Sequence, residues 1–175
     1  AMMRLDENRA KAQLALKSGQ PVGAVTNLAV WGNHSATQFP DAWNARIGGK
    51  NAVEVLGGDA WLQGEFLATI QQRGAKIIEA RGASRAASAA NALIDSVHAI
   101  RNGTPAGDFS SLGVCSQGEY GIPKGLQFGY PIQSDDKGWK VVEDIRHHAF
   151  AQEKIKATTQ ELQEEQDAVK DLLPA

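Results

Sequence analysis

From Leu5 to Lys17 the chain is rich in Ala, Leu, Lys, Gln and Arg, which are strong helix formers, and a first helix is expected there. Gly19 follows as a C-terminal stop, and Pro21 prevents continuation. Thr26 to Trp31 is a short, mostly apolar run that predicts a buried strand, ending at the polar cluster Gly32-Asn33-His34-Ser35. Residues 36–58 are punctuated by Pro40, Gly48-Gly49 and Gly57-Gly58 and read as loop with short strands. Phe66, Leu67, Ile70, Ile77 and Ile78 then fall on one helical face, with Asp59 as N-cap and a stop near Gly82. Ser84 is expected to cap a further helix, Ala86 to about Arg101. Its first turns are almost all Ala and Asn around Ser88, a face that lets a backbone or a ligand approach closely. Asn102-Gly103-Thr104-Pro105 stops it.

Between 108 and 143 the pattern changes to β-prone stretches separated by Gly turns: Phe109–Cys115, Gln127–Gln133 and Trp139–Val142. Ser134-Asp135-Asp136-Lys137-Gly138 reads as the loop of a hairpin. A last helix, roughly His147 to Leu172, carries Phe150, Ile155, Leu162, Val169 and Leu172/Leu173 as its apolar stripe. Helices and antiparallel strands in separate blocks, without strict βαβ alternation, define an α+β class of long helices packed on antiparallel strands. We read residues 1–175 as one domain.

Composition narrows the function classes. Hydrophobic residues at 42% and charged residues at 22% are the usual globular mix. With 18 basic against 20 acidic residues and no Lys/Arg cluster, a nucleic-acid surface is not expected. No apolar run approaches the roughly 18 residues of a membrane span. The lone Cys115 rules out an internal disulfide framework and fits a reducing, cytoplasmic compartment. It has no basic or His neighbour in sequence and is expected to be an inert, packed thiol. His147 and His148 are adjacent and would point about 100° apart on a helix, a poor metal pair, so they read as an exposed helix start and no metal site is expected. There is no G-x-S-x-G nucleophile elbow.

The candidate chemistry lies at Asp6, Arg9 and His34. Asp6 and Arg9 share a helical face. The helix from Asp6 to Lys17 climbs about 17 Å. After a tight turn, an extended return from Thr26 covers about 26 Å to His34. That return can bring the imidazole beside the first helical turn. Imidazole gives and takes protons near neutrality, and a carboxylate on its other nitrogen fixes the tautomer and steadies the imidazolium. Arg grips a carboxylate with two parallel hydrogen bonds, which Lys does not reproduce. An Asp and an Arg at this spacing also occur as a solvated ion pair, and a single His is often structural. Spacing alone leaves both readings open.

The strings RLDENRAKAQLA and VWGNHS resemble the malate dehydrogenases of the cytosolic type, within the lactate/malate dehydrogenase superfamily. The resemblance continues through WLQGEFLATIQQRGAKIIEARGAS, RAASAANA, GTPAGDFSSLGV, YGIPKGLQFGYP and QELQEEQDAVKDLL, and so covers nearly the whole chain. It implies the fold of that superfamily's C-terminal domain. It also implies that Asp6 and His34 form a proton-relay pair and that Arg9 binds the substrate carboxylate. Ser88 matches a position that lines the pocket near substrate and nicotinamide, although a small packing residue would look the same. At Arg85 the chain departs from the family's usual Ser, and nothing is carried over there.

The resemblance further implies NAD as cofactor, malate and oxaloacetate as substrates in a step of the tricarboxylic acid cycle, and a homodimer. Yet the chain contains no G-x-G-x-x-G after a strand and no ribose-binding acid some twenty residues on. The family carries these in an N-terminal half, with a mobile loop bearing two further substrate arginines and an Asn. The opening Ala1-Met2-Met3-Arg4 enters helical sequence at once, close to where that half would end. We therefore expect the NAD-binding half to be absent from this chain, the chain alone to be inactive, and no cofactor-binding residue to be assignable within it. Two other readings remain: a non-catalytic dimerisation module, and half of a related lactate-type 2-hydroxy-acid dehydrogenase. The absent loop largely decides between malate and lactate.

Overall fold

The computed structural model describes residues 2–83 and 86–172. Helix α1 runs Met2–Ser18 and stops at Gly19, whose φ of 69° is left-handed. The chain then returns through β1 (Val25–Thr26) and β2 (Ala29–Trp31). The single strand expected from Thr26 to Trp31 is broken at Asn27, which takes φ 54°. Asn tolerates this region better than most residues. Here its backbone N–H donates to Asp108 Oδ1 at 2.7 Å and its Nδ2 to the Gly107 carbonyl at 2.8 Å, which offsets the break.

β2 pairs antiparallel with β3 (Phe39–Asp41), joining Trp31 to Phe39. β1, β4 (Arg46–Ile47) and β5 (Lys50–Asn51) form a second small sheet, followed by the short helix α2 (Ala52–Val55). Asn51 caps α2 through the N–H groups of Val53 and Glu54. Helix α3 (Leu67–Arg81) is entered through a π-helical turn at Leu62–Phe66, which the apolar pattern does not reveal. Asp59 binds the Gln63 side chain at 2.7 Å. α3 ends at Gly82, as expected, with φ 69°. Phe66, Leu67, Ile70 and Ile77 are buried, but Ile78 is half exposed and faces a cleft instead of the core.

Helix α4 spans Ala86–Asn102; its expected Ser84 cap lies outside the described residues. The third sheet has the order β6 (Ser110–Cys115), β7 (Gln127–Asp135), β8 (Gly138–Val141), all antiparallel. The hairpin is tighter than expected. Asp135 pairs with Gly138, leaving Asp136 and Lys137 as the loop. Cys115, expected to be packed, is exposed, because the far end of β6 runs out beyond the layer covering Ser110–Leu112. Helix α5 covers Ala149–Val169. Ile155 is buried and Phe150 and Leu162 are partly so, but Val169 and Leu172 are exposed; Leu173 lies outside the described residues.

The core gathers Trp31, Phe39, Phe66, Phe128, Tyr130 and Ile132, all nearly inaccessible, between α1 and the sheets. A paired bridge between Gly32 and Gly129 ties the end of β2 to the first part of β7. That bridge fixes where the following loop, 33–37, leaves the core. His147 also departs from expectation. Its ring is packed edge-on against Trp31 at 4.6 Å with its side chain only 8% exposed, while His148 accepts the Ala151 N–H as the cap of α5. The pair splits because one ring completes the aromatic core and the other turns outward to cap. Among the described residues there is no helix long and apolar enough to cross a membrane, and no His/Cys/Asp/Glu group arranged for a metal.

Candidate active site

α1 presents charge to the interior. Asp6 and Glu7 are both fully buried. A buried carboxylate is costly unless its oxygens are paired. Glu7 is paired by Arg4 at 2.6 Å, Lys11 at 2.9 Å and the Ser111 N–H at 2.6 Å, and so anchors α1 to β6. Asp6, one position back, points to the other side of the helix. Its Oδ1 accepts Arg9 Nη1 at 3.1 Å, and its Oδ2 is bonded to His34 Nδ1. All three residues singled out by the sequence therefore meet on one carboxylate. Burial of Asp6 is not the geometry of a solvated surface pair.

His34 reaches Asp6 because the loop that carries it is held from behind by α5. The Asn33 N–H donates to Thr158 Oγ1 at 2.8 Å. Ser35 Oγ and Thr37 Oγ1 both donate to Glu161 Oε2 at 2.5 Å. Asn33 Nδ2 bridges Glu161 at 3.1 Å and Glu165 at 2.9 Å. Partial burial pushes the Glu161 carboxyl up, but the bonds from Ser35, Thr37 and Asn33 together bring it below its ordinary value. Gly32 makes the close approach possible. It has φ 89°, and a Cβ there would lie 2.1 Å from Thr158 Cγ2.

The ring of His34 is about one-third exposed, with a side-chain accessibility of 36%, and Arg9 is largely buried at 17%. Both line a cleft of about 340 Å³ between α1, the 33–37 loop and α3, together with Gln38, Gln71, Ile77 and Ile78. Ala89 of α4 closes one side; Ser88, its neighbour in the first turn, is half-buried. With Nδ1 engaged by Asp6, Nε2 is the ring nitrogen left for proton exchange. A guanidinium, an imidazole and isoleucine walls suit a small oxyacid. A cleft of this size does not enclose a dinucleotide, so the donor set fits the reacting end of a substrate.

Gln38, Gln71 and Ile78 of the lining were not foreseen from sequence, and neither was the Glu161 anchor, 126 positions from Ser35. Ile78 looked like core because it is apolar at helical spacing. The hydroxyl residues Ser35 and Thr37 on either side of Ala36 were the available signal that the loop after His34 needs a partner.

The model of the lactate/malate dehydrogenase α/β C-terminal domain matches residues 3–173, and this chain belongs to that family. Among solved structures it is similar to malate dehydrogenase from Naegleria fowleri, at 41% identity and a TM-score of 0.91, over 99% of this chain and 53% of that one. It is similar also to Trichomonas vaginalis lactate dehydrogenase in complex with NADH and oxamate, at 33% identity and a TM-score of 0.88, over 95% of this chain and 52% of that one. Plasmodium falciparum malate dehydrogenase, at 21% identity and a TM-score of 0.81 over 96% of this chain and 54% of that one, shares the fold. The chain thus spans about half the length of the structures it matches.

Proposed function

We propose that the chain is the substrate-binding, proton-relay half of an NAD-dependent malate dehydrogenase, completed by an NAD-binding half that these 175 residues do not include. The observation that carries this reading is the sharing of one buried carboxylate, Asp6, by His34 and Arg9 at the wall of a small cleft. When bound, NAD supplies or accepts the hydride at C2 of the substrate. The chain's own residues do the rest. His34, as imidazolium, gives the Nε2 proton to the C2 oxygen of oxaloacetate. In the opposite direction, neutral His34 takes the hydroxyl proton of malate. Asp6 holds the Nδ1–H tautomer and stabilises the imidazolium. Arg9 grips the carboxylate beside C2 and so fixes the distance between that oxygen and the ring. Ser88 is proposed as a pocket residue on the family resemblance alone; it is the neighbouring Ala89 that lines the cleft.

A lactate-type specificity is the second reading, favoured by the 33% identity to the Trichomonas vaginalis lactate dehydrogenase. A homodimer is supported by the exposed apolar face of α4, formed by Leu93, Ile94, Val97 and Ile100. A cytoplasmic setting fits the lone Cys115. A dimerisation module without activity would share that apolar face, and turnover separates it from the enzyme.

The test is to assay this chain together with its own NAD-binding half and substrate loop, comparing oxaloacetate with pyruvate as substrate, using NADH. Preferential oxaloacetate reduction is expected, and preferential pyruvate reduction would move the assignment to the lactate type. No turnover of either would favour the non-catalytic module. Calorimetry of the isolated chain with millimolar NADH should show little heat, because the Gly-rich phosphate turn is missing; micromolar affinity would contradict the division of labour.

A further inference from the structure

Resting on the proposed function, we infer that Glu161 is a positioning residue for the reaction, holding His34 at its working place through the 33–37 loop. His34 is fixed from two sides. Its ring is held by Asp6 on α1, and its neighbours on both sides in the chain are held by α5. Glu161 Oε2 collects the hydroxyls of Ser35 and Thr37 at 2.5 Å each and the Asn33 amide at 3.1 Å. Thr158, one turn earlier on α5, receives the Asn33 N–H at 2.8 Å, and its Oγ1 is 2.9 Å from Thr37 Oγ1. Beyond these, Asn33 Nδ2 donates to Glu165 at 2.9 Å and the Thr37 N–H to Ser35 Oγ at 3.1 Å. A Gln38 N–H to Ser35 carbonyl bond at 3.3 Å closes the loop, and about a third of the His34 side chain is in solvent. Removing the carboxylate takes away the acceptor shared by Ser35 and Thr37 and leaves the Asn33 amide to Glu165 alone, with Asp6 and Arg9 still in place on α1.

Glu161 does not line the cleft, so it acts through the loop. That separates two kinetic consequences. Carboxylate binding rests on Arg9, which Glu161 does not touch. Proton transfer rests on the distance from His34 to the substrate oxygen, and small misplacements of a catalytic group are costly in rate. The bonds that draw the Glu161 carboxyl below its ordinary value also mean that it is ionised, and able to accept all three donors, across the neutral range.

The experiment uses the complete two-domain enzyme carrying Glu161→Ala, Glu161→Gln or Thr37→Val. For Glu161→Ala, kcat for oxaloacetate reduction should fall about tenfold or more while KM changes by less than about threefold. Glu161→Gln keeps one acceptor oxygen and should recover much of that loss. With 15N-histidine labelling, the Nδ1–H resonance of His34 should broaden or shift in Glu161→Ala and be restored towards wild type in Glu161→Gln, with His148 unmoved. Should Glu161→Ala fail to unfold cooperatively, Thr37→Val, which removes one donor and leaves the carboxylate, should show the same split to a smaller degree. Unchanged kcat and an unchanged His34 resonance in the folded variants would overturn the assignment. The resonance also separates this claim from the functional one. If the wild-type enzyme turns over neither oxaloacetate nor pyruvate, the functional reading falls, while the His34 signal still reports whether Glu161 holds the ring.

Discussion

His34 and Asp6 stand 28 positions apart and are bonded through Nδ1 and Oδ2. The other oxygen of the same carboxylate, Oδ1, takes Arg9 at 3.1 Å. Asp6 therefore couples the orientation of the His34 imidazole to that of the Arg9 guanidinium. Because the carboxylate is buried, drift of either partner leaves one of its oxygens in the interior without that bond.

Arg9→Lys should not be conservative in the complete enzyme. Lysine keeps the charge but loses the planar fork that bonds Asp6 and, in the proposed reaction, grips a substrate carboxylate. Charged hydrogen bonds are worth about 1.5–3 kcal/mol each, so kcat/KM for oxaloacetate should fall about tenfold or more. Steady-state kinetics on this variant decides the point. Near-normal values would leave Arg9 only a partner for Asp6.

Gly32→Ala should be among the most damaging single-methyl changes in the chain. The residue sits at φ 89°, and the new methyl would meet Thr158 Cγ2 at 2.1 Å. Left-handed strain and overpacking each cost about 1–3 kcal/mol, so urea unfolding should show a loss of about 2 kcal/mol or more. Gly64, which has open space around its Cβ position, is the control and should tolerate Ala.

Stability should fall on mild acidification, and His147 should contribute to the fall. Burial lowers its folded pKa below the ordinary 6.5; attraction by Asp41 opposes this and repulsion by His148 adds to it. As pH drops below 6.5, the unfolded chain takes up a proton that the folded chain refuses, so stability decreases until the folded pKa is reached. His147→Phe keeps a ring against Trp31 and removes this titration. Its stability should therefore vary less than wild type between about pH 6.5 and 5. Urea midpoints across that range test it; equal slopes would show that His147 is not the group responsible.

The fold class, the long helices, the β7–β8 hairpin and the Asp6–Arg9–His34 cluster were legible in the sequence. Helical periodicity marks long amphipathic segments well, and the VWGNHS string fixed which loop followed the buried strand. What escaped was set by contacts distant in sequence. The break at Asn27 depends on Asp108 and Gly107, which supply its acceptors. His147 was expected at an exposed helix start, but the aromatic layer of Trp31 and Tyr120 takes its ring inside. Cys115 was expected to be packed, and where β6 outruns its cover depends on how far the layers overlap.

The central claim, that His34 moves the proton, is tested most directly by His34→Asn in the complete enzyme, measured in a single turnover of oxaloacetate with NADH. Asparagine retains a hydrogen-bonding side chain near Asp6 but cannot cycle a proton near neutral pH. The rate of NADH oxidation should fall by about 10² to 10⁴-fold, with NADH affinity nearly unchanged. A variant retaining more than about a tenth of the wild-type rate would contradict the account.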